Sequence, residues 1–126
     1  MVGTANAQPT IGVRDLEKAT GFYGGVLGLK VVKESPYEVV YQSGDSQLSV
    51  YMTEYAGTNK ATYATWAVDD IKAEVAELAG KGVRFEHYDM PGTTREGDVH
   101  MLGDSGEKAA WFSDPDGNIL CLHQTS

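Results

Sequence analysis

Apolar residues recur at helical spacing in two stretches of the chain. Leu16, Ala19, Tyr23, Val26 and Leu27 step along one face, and Ile71, Val75 and Leu78 do the same further on. Each run follows the end of an apolar strand and an aspartate: Val13-Arg14-Asp15-Leu16 and Val68-Asp69-Asp70-Ile71 both read V-x-D-[LI]. An Asp at that place predicts an N-cap, because its carboxylate accepts from first-turn N–H groups that lack a carbonyl partner. The first helix is expected to run out at Gly24-Gly25 or Gly28, the second at Gly80-Lys81-Gly82. Extended stretches follow each helix, over residues 29–33, 38–42 and 48–53 in the first half and 83–87, 108–112 and 118–123 in the second. Each half therefore reads β-α-β-β-β, repeated at a spacing of about 55 residues. The fold class is α+β. No linker-like composition separates the halves, so a single domain over 1–126 is expected, with modules at about 7–55 and 60–124.

Within the strands, alternation assigns faces. Ile11 and Val13, Leu48, Val50 and Met52, and Ala64, Trp66 and Val68 should pack on the helices. Gln8, Thr10 and Gly12, Ser49, Tyr51 and Thr53, and Tyr63, Thr65 and Ala67 then face the other way. In the last strand Leu120 and Leu122 point to the helix, and Ile119, Cys121 and His123 point away from it. Trp111 precedes Phe112 and takes the opposite face to it, and alternation alone leaves open which of the two reaches the cavity. The hairpin before the last strand, Asp114-Pro115-Asp116-Gly117, has the residue order of a type I turn. Its two aspartates are expected to shape the turn rather than bind a ligand.

Composition narrows the function classes. Hydrophobic residues make up 41% and charged ones 22%, ordinary globular values. Ten basic against eighteen acidic residues give a net charge of −8, which repels phosphate backbones and makes nucleic acid an unsuitable partner. A cationic or neutral small ligand suits that charge. The one cysteine cannot form an internal disulfide. MVGTANAQPT has neither a basic start nor an apolar run, and no stretch reaches membrane-spanning length, so a cytoplasmic protein with no membrane partner is expected.

The segments VRDLEKATGFYGGVLGLKVV, AVDDIKAEVAELAGKGVRF and FSDPDGNILCL resemble the vicinal oxygen chelate superfamily, which includes glyoxalase I, bleomycin-resistance proteins, extradiol dioxygenases and fosfomycin-resistance enzymes. The resemblance spans nearly the whole chain. It implies two βαβββ modules forming a curved mixed sheet cup with helices outside, commonly completed by pairing, hence a homodimer. It also implies four positions that hold a divalent ion in metal-using members. Here they are Gln8, Ser49 or Tyr51, Tyr63 and Cys121. Glutamine, serine and a protonated tyrosine are poor partners for Zn²⁺, and no carboxylate is present for Mg²⁺ or Mn²⁺. Cys121 and His123 lie roughly 7 Å apart along one strand face; a C-x-H pair still needs a third ligand, and His100 in GDVHML is the one other histidine expected on a neighbouring strand.

The expectation is therefore a pocket wall without a metal or other cofactor. Its lining is Gln8, Thr10, Ser49, Tyr51, Tyr63, Thr65, Trp111, Cys121 and His123, amphipathic aromatics and small hydroxyls suited to a flat aromatic or cationic organic ligand. The alternative is a metal-dependent glyoxalase-like lyase, isomerase or dioxygenase, in which the ion polarises a substrate oxygen and a base moves a proton. Metal-free catalysis by Tyr51, Tyr63, Cys121 or His123 lacks an orienting carboxylate nearby in sequence.

Overall fold

In the computed structural model, which describes residues 1–125, both aspartates cap their helices. Asp15 Oδ1 accepts from the backbone N–H of Glu17 at 2.9 Å and of Lys18 at 3.2 Å, and Asp70 Oδ1 from that of Ala73 at 3.1 Å. The chain divides into two units, Met1–Thr58 and Asn59–Ser126. Each holds one mixed sheet with its own helix.

The first unit contains β1 (Thr10–Val13), α1 (Leu16–Thr20), β2 (Lys30–Glu34), β3 (Glu38–Ser43) and β4 (Ser46–Met52). Sheet order is β1-β4-β3-β2, with β1 parallel to β4 and the other pairs antiparallel. Ile11, Val39, Tyr41, Leu48 and Val50 are buried on one face together with Ala19, Phe22 and Tyr23 from the helical segment. That segment departs from the expected single helix. After Thr20 it widens into a π-type stretch, Gly21–Val26, where the Leu27 N–H donates to the Phe22 carbonyl at 2.9 Å. Gly21, Gly24 and Gly25 hold α-helical geometry weakly. The wider winding lets consecutive Phe22 and Tyr23 both be buried, their rings edge-to-face at 5.1 Å. Met52, the last residue of β4, was expected on the helix side and is 48% exposed instead.

The second unit contains β5 (Thr62–Ala67), α2 (Ile71–Gly80), β6 (Phe85–Glu86), β7 (Thr93–Glu96), β8 (Val99–Leu102), β9 (Glu107–Ser113) and β10 (Ile119–Gln124). Its sheet runs β5-β10-β9-β8-β7, and β6 pairs with the far end of β9. Ile71, Val75 and Leu78 are buried as their spacing predicts. The helix stops where Gly82 takes φ +90°, which a side chain would resist. The expected strand over 83–87 shrinks to two residues. The β7–β8 hairpin was not anticipated as a pair, since Thr93-Thr94-Arg95-Glu96 carries no apolar alternation. Phe112 is fully buried between Phe85 at 5.7 Å and Trp66 at 6.4 Å. The Asp114–Gly117 turn forms: Gly117 N–H donates to the Asp114 carbonyl at 3.0 Å. The buried Asp114 carboxylate also accepts from the N–H groups of Asp116 and Asn118 and from the Asn118 side chain, so it shapes the turn.

Candidate functional site

In the second unit, ladder register defines the face opposite the helix. Glu86 stands across from Trp111, Trp111 from Cys121, and Cys121 from Thr65, so one row crosses four strands. Next along β9 the row is His100, Ala109, His123 and Ala67. Trp111, Cys121, His123 and Thr65 thus share a face, as alternation predicts. Phe112 and Leu120 belong to the opposite, helix-covered face. Tyr63 departs from simple alternation. The pairing slips between Ile119 and Leu120, so Thr62 stands opposite Ile119 and Ala64 opposite Leu120, with Tyr63 between them. Thr62 accordingly meets the Trp111 row: its hydroxyl accepts from Trp111 Nε1 at 3.2 Å. A one-residue bulge of this kind leaves no mark in a single sequence.

Around Trp111 lies an aromatic group that sequence reasoning only touched. Its ring is edge-on to His100 at 4.9 Å and to Tyr88 at 5.3 Å, and Tyr88 lies 6.2 Å from His100. His100 is 1% exposed, and its Nε2 accepts from the Tyr88 backbone N–H at 3.0 Å. Burial holds its pKa below the usual histidine range, with Arg95 and His87 adding repulsion; the nearby Ala109 and Tyr88 backbone opposes the shift without cancelling it. His100 is therefore a neutral ring at physiological pH. Burial first, then the Glu86 charge and, at alkaline pH, the Cys121 thiolate, raise the Tyr88 phenol above its ordinary value. Tyr88 sits outside any strand, so periodicity could not place it.

Two carboxylates join this face. Ser113 Oγ donates to Glu86 Oε1 at 2.7 Å, and Glu107 Oε2 lies 3.2 Å from His123 Nε2. Glu107 is the partner that local sequence around His123 does not supply, sixteen residues away on the neighbouring strand. Cys121 is 5% exposed, and its Sγ–H donates to the Leu122 carbonyl at 3.3 Å. Burial pushes the thiol pKa up to about 11, against smaller opposing effects from the Ala110 backbone and the Thr65 hydroxyl. At neutral pH it is a protonated thiol.

In the first unit the corresponding face carries Thr10 opposite Ser49, Gly12 opposite Tyr51, and Tyr51 opposite Glu38. Ser49 is buried and donates its hydroxyl to Glu38, a residue alternation did not single out. Gly12 has a local reason: a Cβ there would collide with the Thr53 side chain. Tyr51 is 40% exposed. Gln8 precedes β1 and lines a shallow cleft of about 450 Å³ with Asn6, Gln42, Asp45 and Gln47.

The positions at which the resemblance implies metal ligands do not fit a divalent ion. Burial favours the protonated Cys121 thiol, so an ion would have to displace that proton. Ser49 is engaged with Glu38, Tyr63 occupies a slip in the ladder, and Gln8 offers a neutral amide. Among the described residues, no three of His, Cys, Asp and Glu gather in a way that could hold an ion.

The profile of the Glyoxalase/Bleomycin resistance protein/Dioxygenase superfamily matches residues 6–122. No curated protein matches the sequence. Solved structures do match in fold. A bleomycin-binding protein complexed with bleomycin superposes with TM-score 0.72 at 22% identity, covering 98% of this chain and 100% of that one. TnmS3, an antibiotic-binding protein from Streptomyces sp. CB03234, gives 0.66 at 22%, covering 98% of each. Lactoylglutathione lyase from Agrobacterium tumefaciens gives 0.70 at 18%, covering 96% and 93%.

Proposed function

The chain belongs to the Glyoxalase/Bleomycin resistance protein/Dioxygenase superfamily, and from that premise we propose that it binds a small aromatic or cationic organic molecule without a metal ion. The ligand lies on the second unit's sheet face that carries Trp111, Cys121, Thr65 and His123. One observation carries the reading. The row through Trp111 presents an indole packed edge-to-face with Tyr88 and His100, beside a buried thiol at a position where the resemblance implies a metal ligand. Such a surface holds guests by contact area and a few hydrogen bonds. The fold-level likeness to a bleomycin-binding and an antibiotic-binding protein supports the same reading.

The His123–Glu107 pair favours a second reading, metal-free proton transfer. A carboxylate on one imidazole nitrogen fixes ring orientation and stabilises the imidazolium once the other nitrogen takes a proton. His123→Gln tests the second: it abolishes turnover under that reading, and turnover that survives the substitution removes it. The binding reading is tested by a thermal-shift and native mass-spectrometry screen of aromatic and cationic organic compounds, with the flat cation N-methylacridinium as the first probe. Retention of such compounds at micromolar affinity is expected. Absence of any ligand at that level contradicts it.

The proposal extends to a homodimer, since the edge strand β2 exposes Val31 and Val32 at 42% and 50%. Sedimentation equilibrium at the monomer mass would remove that part.

A further inference from the structure

We infer that Glu86, Trp111 and Tyr88 form a recognition site for an organic cation on the second unit's sheet face. This rests on the binding reading above and narrows it to one ligand class, a delocalised or quaternary ammonium group. The site is assembled by register. Glu86 is directly opposite Trp111 in the β6–β9 ladder, and opposed side chains on adjacent strands are nearest neighbours on one face. Ser113, two residues beyond Trp111, donates its hydroxyl to Glu86 Oε1 at 2.7 Å. That bond fixes the carboxylate, and no described residue donates to Oε2.

Trp111, which stands across from that carboxylate, belongs to a cluster of three rings. Trp111 and Tyr88 meet edge-to-face at 5.3 Å, and His100 closes the group at 4.9 Å from Trp111. Trp111, Tyr88 and Glu86 are each half-buried, so they are shielded yet reachable. Aromatic faces carry negative charge density, and a cation between them and a carboxylate gains from both. A fixed carboxylate in a partly desolvated site interacts with a cation more strongly than one in bulk water.

Among the neighbouring groups, Arg95 keeps its positive charge and weakens that field, whereas His100 adds no charge to it. His100 is held neutral by burial, so it contributes a ring without a competing charge. Arg95, which faces His100 across the β7–β8 ladder, donates Nη1 to the Gly97 carbonyl at 2.8 Å. His87 is engaged with Asp98 at 2.7 Å. Residues 59–126 hold twelve acidic and six basic side chains, against six and four in residues 1–58, so the longer-range potential points the same way.

The test compares N-methylacridinium with acridine, a neutral ring system of nearly the same shape in mildly alkaline buffer, by titration calorimetry and tryptophan fluorescence on the full chain. Wild type should bind the cation about ten-fold more tightly or better. Glu86→Gln, which keeps an acceptor for Ser113, should erase the preference while leaving acridine affinity within about two-fold. Trp111→Leu should weaken both compounds, and Ser113→Ala should reduce the preference by about two- to three-fold. Near-ultraviolet circular dichroism checks that each variant is folded. Equal affinity for the two compounds in wild type overturns the cation site and leaves the binding reading standing. So does a preference that survives Glu86→Gln. Failure of wild type to bind either compound counts against both.

Discussion

The first unit holds five of the seven tyrosines and no histidine, tryptophan or cysteine; the second holds all three histidines, both tryptophans and the cysteine. Both share a β-α-β-β-β plan, to which the second adds the β7–β8 hairpin, with a parallel pair joining the first and last strands of each module. Their helix-covered faces are alike in kind: Ile11, Val39, Leu48 and Val50 in one, Ala110, Phe112, Leu120 and Leu122 in the other. The opposite faces diverge. Ser49, Glu38 and Thr10 give a hydroxyl-rich surface in the first unit, whereas Trp111, Tyr88, His100 and Cys121 give an aromatic one in the second. Burial against a helix constrains one side of a sheet to apolar side chains, and the other side is left to carry chemistry.

The largest expected effect lies in the second unit's core. Phe112→Ala removes a fully buried ring between Phe85 and Trp66 and should cost about 3–5 kcal/mol in urea unfolding, whereas Val50→Ala in the first unit should cost about 2 kcal/mol. Equal losses would show that the aromatic core gives the second unit no special weight.

Cys121 sharpens the contrast through pH. Its folded pKa of about 11 lies above the free-thiol value of 9.0, so the unfolded chain releases its proton first as pH rises. The stabilisation is present below pH 9 and is lost as pH climbs toward 11, by about 3 kcal/mol in all. The difference between wild type and Cys121→Ala, followed by denaturant titration across that window, isolates the thiol. A difference independent of pH would mean that the thiol is not desolvated.

The smallest effect belongs to the first unit and has the opposite sign. Tyr41 is fully buried, and its hydroxyl has no hydrogen-bond partner among the described residues. Tyr41→Phe should therefore be neutral or stabilise by about 1 kcal/mol. A loss of that size would reveal a partner for the hydroxyl.

What was legible in the sequence were the features governed by short-range rules. Caps at Asp15 and Asp70, the α2 face and the Asp114–Gly117 turn follow from propensity and spacing, and the face shared by Trp111, Cys121 and His123 follows from alternation. Features set by pairing between distant segments were hidden. The slip that puts Thr62 beneath Trp111, the Glu107 partner of His123 and the Ser113 clamp on Glu86 all depend on which strand lies beside which. Tyr88 was hidden because its segment is irregular; His100, expected on a strand neighbouring that of Cys121 and His123, lies one strand further away, on β8, with β9 between them.

The claim that the ligand is held without a metal meets its most direct test in one titration. Protein produced in medium supplemented with Ni, Zn, Fe and Mn is assayed for bound metal and titrated with N-methylacridinium by tryptophan fluorescence, before and after chelation. The account predicts less than one-tenth of an equivalent of any metal, on the order expected for adventitious ions, and an affinity unchanged within about two-fold. One equivalent of a transition metal, with binding that vanishes on chelation and returns with the ion, would contradict it.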